Sequence, residues 1–284
     1  MYDLTSPQTV RELMSRHRLF FKKGFGQNFL IDSQVPDEIA ALSGIDSDFG
    51  VLEIGPGIGT LTCALAKQAK KVVAVEIDRS LEGVLSETVG SLPNVKVIFG
   101  DILKQDIAGL IEQEFAGMPV ACVANLPYYI TTSIVTELLE AKVRFQSLTF
   151  MVQEEVAARF CAEPGGRDCG AITLFIHYYT EPEIVLNVPK QSFLPAPKVD
   201  SAVIRLKLRE HPPVTPRDEA ALFRLIRASF NQRRKTFVNG VANSGLISAG
   251  KEELVRILNE LGIDPNIRGE KLTLEQFCAI SDRL

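Results

Sequence analysis

Asn125-Leu126-Pro127-Tyr128 is the stretch of this sequence whose residue types could do the most specific chemistry. An exocyclic aryl amine is a poor nucleophile because its lone pair is delocalised into the ring. If the Asn125 side-chain oxygen and the Leu126 backbone carbonyl each accept one of its N–H bonds, the nitrogen becomes pyramidal and its lone pair can be aimed at an activated carbon. Pro127 would fix the turn so that the carbonyl faces inward. Tyr128 would offer an aromatic face to a base taken out of its stack. Such a site works by positioning and needs no nucleophilic side chain and no strong base. The same four residues also make an ordinary Asx-Pro turn, so their place in the chain decides between the readings.

A second constellation lies upstream. Leu52-Glu53-Ile54-Gly55-Pro56-Gly57-Ile58-Gly59-Thr60 reads as a strand running into a glycine-rich turn that opens a helix. Glycine is needed where backbone must approach a ligand closely, and a helix start offers free N–H groups. Gly55 and Gly57 are the candidate contacts. The spacing is G-x-G-x-G, whereas dinucleotide sites use G-x-G-x-x-G, and a ligand-free tight turn is the plain alternative. Glu76 ends the next β-rich run, where an acid could accept from a ribose diol. Asp101, followed by Ile102, ends the third run and could meet an adenine amino group. Polar groups at three consecutive strand ends outline a nucleoside site.

The elements that must hold these residues are legible from Phe49 onward. Short β-rich runs at Gly50–Ile54, Val72–Ile77, Val95–Phe99, Val120–Ala124 and Leu148–Val152 alternate with helical patterns such as Leu61–Ala69 and Ser133–Ala141. That order predicts an α/β domain on a mostly parallel sheet. Two further runs, Pro182–Val188 and Val199–Leu208, are joined through a proline-rich stretch, which suits an antiparallel addition at the sheet edge. His211-Pro-Pro-Val-Thr-Pro216 reads as a linker. Helical patterns follow over Asp218–Phe230, Lys251–Leu261 and Leu274–Ser281, and Pro7–Ser15 reads as a helix feeding a basic arm. The division expected is residues 1–210, a linker at 211–216, and an all-α domain over 217–284. With 284 residues, 46% of them hydrophobic, the chain can bury one large core and a smaller one.

Composition narrows the class. No apolar run approaches the ~18 residues needed to span a bilayer, and the N-terminus lacks a signal-peptide layout, so a cytoplasmic protein with no membrane partner is expected. Five cysteines in no CxxC pair and three dispersed histidines suggest neither a disulfide framework nor a metal site. The net charge of −4 conceals two basic patches: Arg11, Arg16, Arg18, Lys22 and Lys23 early in the chain, and Arg233-Arg234-Lys235 late in it. Lys22, Lys23, Arg233, Arg234 and Lys235 are the candidate nucleic-acid contacts.

With the glycine-rich loop, Glu76, Asp101 and Asn-Leu-Pro-Tyr in this order, the sequence resembles the ribosomal RNA adenine N6-dimethyltransferases of the small-subunit type. The resemblance runs from about Arg18 to the last helix. It implies a Rossmann-like S-adenosylmethionine-dependent methyltransferase fold, with a seven-stranded mostly parallel sheet, an antiparallel edge hairpin and a small all-α C-terminal domain. Phe25-Gly-Gln-Asn-Phe-Leu30 looks like the family's N-terminal cofactor motif, which implies that Asn28 and Leu30 touch S-adenosylmethionine, with Asn125 at its methyl end. Phe193-Leu-Pro-Ala-Pro-Lys-Val-Asp-Ser201 looks like its second target-base motif, which implies that Phe193 stacks opposite Tyr128. Ala228-Ser-Phe-Asn-Gln-Arg-Arg-Lys-Thr236 resembles the basic helix that opens the C-terminal domain. Tyr129 departs from the asparagine of many relatives. The implied substrate is a pair of adjacent adenosines in a terminal hairpin of small-subunit rRNA. The net charge of −4 with only two basic patches adds the expectation that the hairpin is met in a partly assembled subunit, which offers several docking points at once, and that the protein acts as a monomer. The alternatives are a large-subunit rRNA dimethylase of the macrolide-resistance type and a catalytically inactive ribosome-assembly factor of the same fold.

Overall fold

The computed structural model describes residues 2–20, 27–141, 143–232 and 234–284. Its strands in chain order are β1 (Phe29–Leu30), β2 (Gly50–Ile54), β3 (Lys71–Glu76), β4 (Val95–Phe99), β5 (Val120–Asn125), β6 (Phe145–Gln153), β7 (Thr180–Val188), β8 (Phe193–Leu194) and β9 (Ser201–Leu208). The helices are α1 (Pro7–Arg16), α2 (Val35–Leu42), α3 (Thr60–Ala66), α4 (Glu82–Thr88), α5 (Ile107–Phe115), α6 (Thr131–Glu140), α7 (Glu154–Phe160), α8 (Ala171–Tyr179), α9 (Glu219–Phe230), α10 (Phe237–Ala242), α11 (Lys251–Glu260) and α12 (Leu274–Ser281). No described helix is long and apolar enough to cross a membrane.

Seven strands form one sheet in the order β4-β3-β2-β5-β6-β9-β7. The first five pair in parallel, and β9 runs antiparallel to β6. Strands β2, β3 and β5 are buried along nearly their whole length, which is why they read in sequence as near-continuous apolar runs and not as alternation. The chain winds from β2 to β3 and β4 on one side, then returns to place β5 and β6 on the other. The crevice beyond the carboxyl ends of β2 and β5 is therefore a topological switch point, where ligands bind in such sheets.

The chain divides into two compact units. One comprises Met1–Ala157 with Glu183–Leu208, and the other Ala158–Pro182 with Arg209–Leu284. In the first, α2 and α3 cover one sheet face through Val35, Ile39, Leu61 and Leu65, against Val51, Ala121, Val123 and Val203. Helix α1 begins at the N-cap of Ser6 and buries Val10, Leu13 and Met14 with Ile58 of the glycine-rich turn, Phe29 and Val84. In the second unit, rings of Phe175, Tyr178 and Tyr179 from α8 meet Phe223 from α9, and Phe277 of α12 meets Phe230 and Phe237. The helical unit thus includes a segment, 158–182, that lies outside the expected 217–284 boundary, because α8 supplies part of its aromatic core.

Most strand and helix bounds agree with the sequence patterns to within a few residues. The resemblance to a basic helix over 228–236 needs correction: α9 ends at Phe230, Asn231 caps it, and Arg234 and Lys235 lie in the turn before α10. Thr236 ends that turn by capping α10, its side chain accepting from the Asn239 N–H at 3.4 Å. The two-residue pairing of β1 with β8 has no counterpart in the sequence patterns. Phe29 faces Leu194, Leu30 faces Phe193, and the Ile31 N–H donates to the Ser192 carbonyl at 2.8 Å.

The turn that opens α3 has Gly55, Gly57 and Gly59 at φ of +70°, +61° and +92°, a conformation that side chains strain to adopt. At Gly59 a Cβ would also come within 2.5 Å of Val89 Cγ1. Gly59→Ala is expected to destabilise the chain by about 1–3 kcal/mol, read as a lower urea midpoint at unchanged m-value.

Candidate active site

The cavity at the switch point is walled by the turns that follow four successive strands. It is lined by Gly55, Pro56, Gly57 and Thr60 after β2, Glu76 at the end of β3 with Ile77 beyond it, Gly100, Asp101 and Ile102 after β4, and Asn125 at the end of β5 with Leu126 to Ile130 beyond it. Gln27, Asn28, Phe29 and Leu30 close it from the N-terminal side. It encloses about 1000 Å³ of non-atom space, open solvent at its mouth included. Asn28, Leu30, Gly55, Gly57, Glu76, Asp101, Ile102, Asn125, Leu126, Pro127 and Tyr128 are thus brought to one cavity from widely separated stretches of chain.

Glu76 is 5% exposed, and both its oxygens accept backbone N–H groups, from Gly57 at 3.2 Å and from Asp78 at 2.8 Å. Burial raises its pKa above the usual carboxylate range, and those N–H groups partly offset the rise. Asp101 caps a short 3-10 turn by accepting from the Leu103 N–H at 3.1 Å. The Asn125 amide nitrogen donates to the Asn28 carbonyl at 3.5 Å, which leaves its oxygen as the end available for accepting. The Pro127 carbonyl is spent on α6, accepting from Thr131 Oγ1 at 3.1 Å. Tyr128 is anchored through its hydroxyl to Ser201 Oγ at 2.6 Å, and burial raises its pKa while that bond lowers it.

Of the predicted cofactor- and base-contacting residues, Phe193 is the one that the cavity does not include. Its ring is 2% exposed and packs in the core with Leu30, Val35 and Val188, because β8 pairs with β1 and turns that ring inward. As the chain stands, Phe193 has no face open to a base. The motif that contains it reaches the site through Ser201 instead. Tyr129, 57% exposed, lines the cavity as a second tyrosine beside Tyr128, although in sequence it reads only as a departure from relatives. Of the basic candidates, Arg234 and Lys235 are exposed, while Lys22, Lys23 and Arg233 lie outside the described residues. Arg16 of the early patch is held by Glu87.

The charges around the cavity have one sign. Three carboxyl residues line it, Glu53, Glu76 and Asp101, and no lysine, arginine or histidine does among the described residues. An acid-lined, cation-free cavity suits a ligand of net positive charge and opposes a pyrophosphate. No group of three His, Cys, Asp or Glu able to hold a metal occurs among the described residues.

Residues 18–284 match the model of the family described as ribosomal RNA adenine dimethylase. The chain belongs to the ribosomal RNA adenine dimethylase family. It is accordingly an S-adenosylmethionine-dependent methyltransferase, and the fold has a Rossmann-like sheet of seven strands. The chain is 50% identical over 283 residues to ribosomal RNA small subunit methyltransferase A of Lachnoclostridium phytofermentans, covering 99% of this chain and 98% of that protein. It is 46% identical over 286 residues to the protein of the same name from a Geobacillus species, covering 99% and 98%. Among solved structures it is similar to a dimethyladenosine transferase from Plasmodium falciparum, with a TM-score of 0.72 and 26% identity over 88% of this chain and 95% of that one. It is also similar to the 23S rRNA methyltransferase ErmE, with a TM-score of 0.66 and 29% identity over 90% and 99%.

The dimethylase cofactor fits what this chain presents: backbone N–H groups of a left-handed glycine turn, acids at consecutive strand ends, and no opposing cation. Glu76 both ties the loop and is the candidate partner of a ribose diol. Glu76→Ala is expected to weaken S-adenosylmethionine binding by about 1.5–3 kcal/mol for each hydrogen bond removed from the charged carboxylate. Calorimetry on the folded variant measures it, and unchanged affinity would remove Glu76 from the site.

Proposed function

We propose that this chain dimethylates the N6 amines of two adjacent adenosines in a terminal hairpin of small-subunit rRNA, acting as a cytoplasmic monomer on a partly assembled subunit. The observation that carries the reading is the convergence of Asn125, Leu126, Pro127 and Tyr128 on the acid-lined cavity. The small-subunit target is supported by 50% identity across almost the whole chain to a small-subunit enzyme, against 29% to the 23S rRNA methyltransferase. Intact Asn125, Pro127 and Tyr128 argue against an assembly factor without chemistry.

Bound S-adenosylmethionine supplies a methyl group on a positively charged sulfur. The residues do the rest by positioning. Asn28, Leu30, Gly55, Gly57, Glu76, Asp101 and Ile102 hold the donor. Asn125 Oδ1 and the Leu126 carbonyl accept the two N–H bonds of the target amine, so that its lone pair faces the methyl. Tyr128, fixed by Ser201, presents its ring to the flipped adenine. Tyr129 is a better placed second aromatic than the buried Phe193. After the first transfer the amine keeps one N–H, and the same acceptors can orient it for a second.

Asn125→Ala is expected to bind S-adenosylmethionine yet lose about 10²-fold or more in turnover, by analogy with loss of one preorganised hydrogen-bonding group. Single-turnover methylation at saturating RNA checks this, and near-normal turnover would show that another group orients the amine.

The preference for a particle follows from charge. A chain of net charge −4 gains little counterion release from any one RNA helix and needs several docking points in fixed geometry. Arg234 and Lys235, exposed in the turn between α9 and α10, are proposed as one such point, together with Arg233, Lys22 and Lys23. Tritiated S-adenosylmethionine with protein-free rRNA, under-assembled small subunits, mature small subunits and large subunits is expected to label the under-assembled particle best. Arg234→Ala with Lys235→Ala should flatten the salt dependence of binding by about 0.9 in log–log slope for each duplex phosphate that is no longer neutralised. Equal rates on all substrates would sink the particle preference.

A further inference from the structure

Glu53 is the cavity acid that the functional reading leaves unused. It is the fourth residue of β2, lines the cavity wall, is 1% exposed, and its Oε2 has no hydrogen-bond partner. The hydroxyls of Thr60 and Thr62, at the start of α3, are also buried without a bonded partner. The groups facing Glu53 give it no counter-charge. Glu76 on β3 carries the same sign. Cys63 on α3 and Cys122 on β5 have thiol pKa values raised by burial first and by Glu53 second. Lys67, the residue that caps the C-terminus of α3, is paired with Asp37 of α2 at 2.9 Å, with both side chains more than half exposed.

A carboxylate in that setting is unstable unless it is neutralised or met by a cation. Burial pushes Glu53 up to about 8, and the charge of Glu76 adds to the rise. The Thr62 hydroxyl is near enough to oppose it, though without a bond of ordinary geometry. At neutral pH the ligand-free chain therefore holds Glu53 mainly as a carboxylic acid. The two forms of the cofactor differ in the matching respect. S-adenosylmethionine has a sulfonium, an ammonium and a carboxylate, for a net charge of about +1, whereas S-adenosylhomocysteine has lost the sulfonium charge and is near neutral.

We propose that Glu53 senses the charge of the cofactor: it gives up its proton to solvent when the cationic methyl donor enters, and takes one back once the donor has become the neutral thioether. The proposal rests on the assignment of this cavity to S-adenosylmethionine. On binding, the O–H bond of the Glu53 carboxyl breaks and the proton goes to water. On transfer, the carbon–sulfur bond breaks as the carbon–nitrogen bond forms, and the positive charge moves to the amine, which releases a proton to water. Glu53 then recovers a proton from water, and nothing is oxidised or reduced. Glu53 is thus a positioning and selectivity residue for the donor and makes no bond to the methyl group. The arrangement favours the donor over the spent product, which must leave before the second methyl can be added.

The test is calorimetric. Wild type and Glu53→Gln are titrated with S-adenosylmethionine and with S-adenosylhomocysteine near pH 7, in two buffers of different ionisation enthalpy. Wild type should release up to about one proton more than the variant on binding the donor, and no more than the variant on binding the product. Between about pH 6 and 8 the donor affinity of wild type should gain up to about tenfold per pH unit relative to the variant. The variant should lose about tenfold of the donor-over-product preference. Equal proton counts for wild type and variant with the donor overturn the proposal. Failure of wild type to bind the donor at all would overturn the cavity assignment beneath it. If the variant does not fold, infrared difference spectra of wild type decide. The carbonyl stretch of a protonated carboxyl should vanish with the donor and persist with the product, and its persistence with both overturns the proposal.

Discussion

The bond from the Gly57 N–H to Glu76 Oε2, 3.2 Å across adjoining strand ends, is the constraint on which the proposed donor site depends. It holds the glycine-rich turn in a left-handed conformation that no side chain would favour. Glu76 is in turn fixed by the Asp78 N–H, and the chain then enters a short 3-10 turn capped by Asp78. Two loops that could each move alone are thereby locked to one carboxylate. Packing completes the lock, since Ile58 at the tip of the turn is buried under α1 with Leu13, Met14 and Phe29. The N-terminal helix is therefore part of the support for the cofactor turn.

Charge sorts the two ligands of this enzyme. The cavity is lined by acids alone among ionisable side chains other than tyrosine, within the described residues, and so favours a cationic donor while repelling phosphate. The exposed Arg234 and Lys235, the proposed contacts for RNA phosphate, belong to the other compact unit. The average of −4 carries little information about either surface.

The parallel strands are legible in the sequence because burial on both faces leaves a continuous apolar run, and the cofactor turn because only glycine tolerates it. Glu76, Asp101 and Asn125 are legible for a related reason: each is a polar residue that abruptly ends an apolar run, and β-strand ends at one sheet edge converge. What stays hidden is set by distant pairing. Phe193 reads as a free aromatic until β8 is found against β1, a contact between residues more than 160 positions apart, which turns its ring into the core. Segment 158–182 offers weak periodicity because α8 is apolar around much of its surface, buried by aromatic neighbours. Glu53 reads as an ordinary strand residue because nothing in the local pattern shows that its carboxyl lacks a partner. The helix expected at Arg234 and Lys235 comes from the resemblance alone, since the local helical pattern stops at Phe230, where α9 ends.

The stretch from Ser192 to Ser201 touches the site at both of its ends. Near its start, the Ser192 carbonyl accepts from Ile31 and the Ser192 hydroxyl donates to Asp32 at 3.0 Å, fixing the strand that carries Leu30 and follows Asn28. At its finish, Ser201 clamps the Tyr128 hydroxyl. The cavity wall that carries Leu30 and the ring of Tyr128, the proposed neighbours of donor and base, are thus hung from opposite ends of a single short span, whose length acts as a ruler. Inserting or deleting one residue there would shift the donor and acceptor sides out of step with each other, even though no atom in the middle of the span need touch either ligand. Tolerance to changes of residue type in the largely exposed middle of this span, residues 195–199, should accordingly far exceed tolerance to changes in its length.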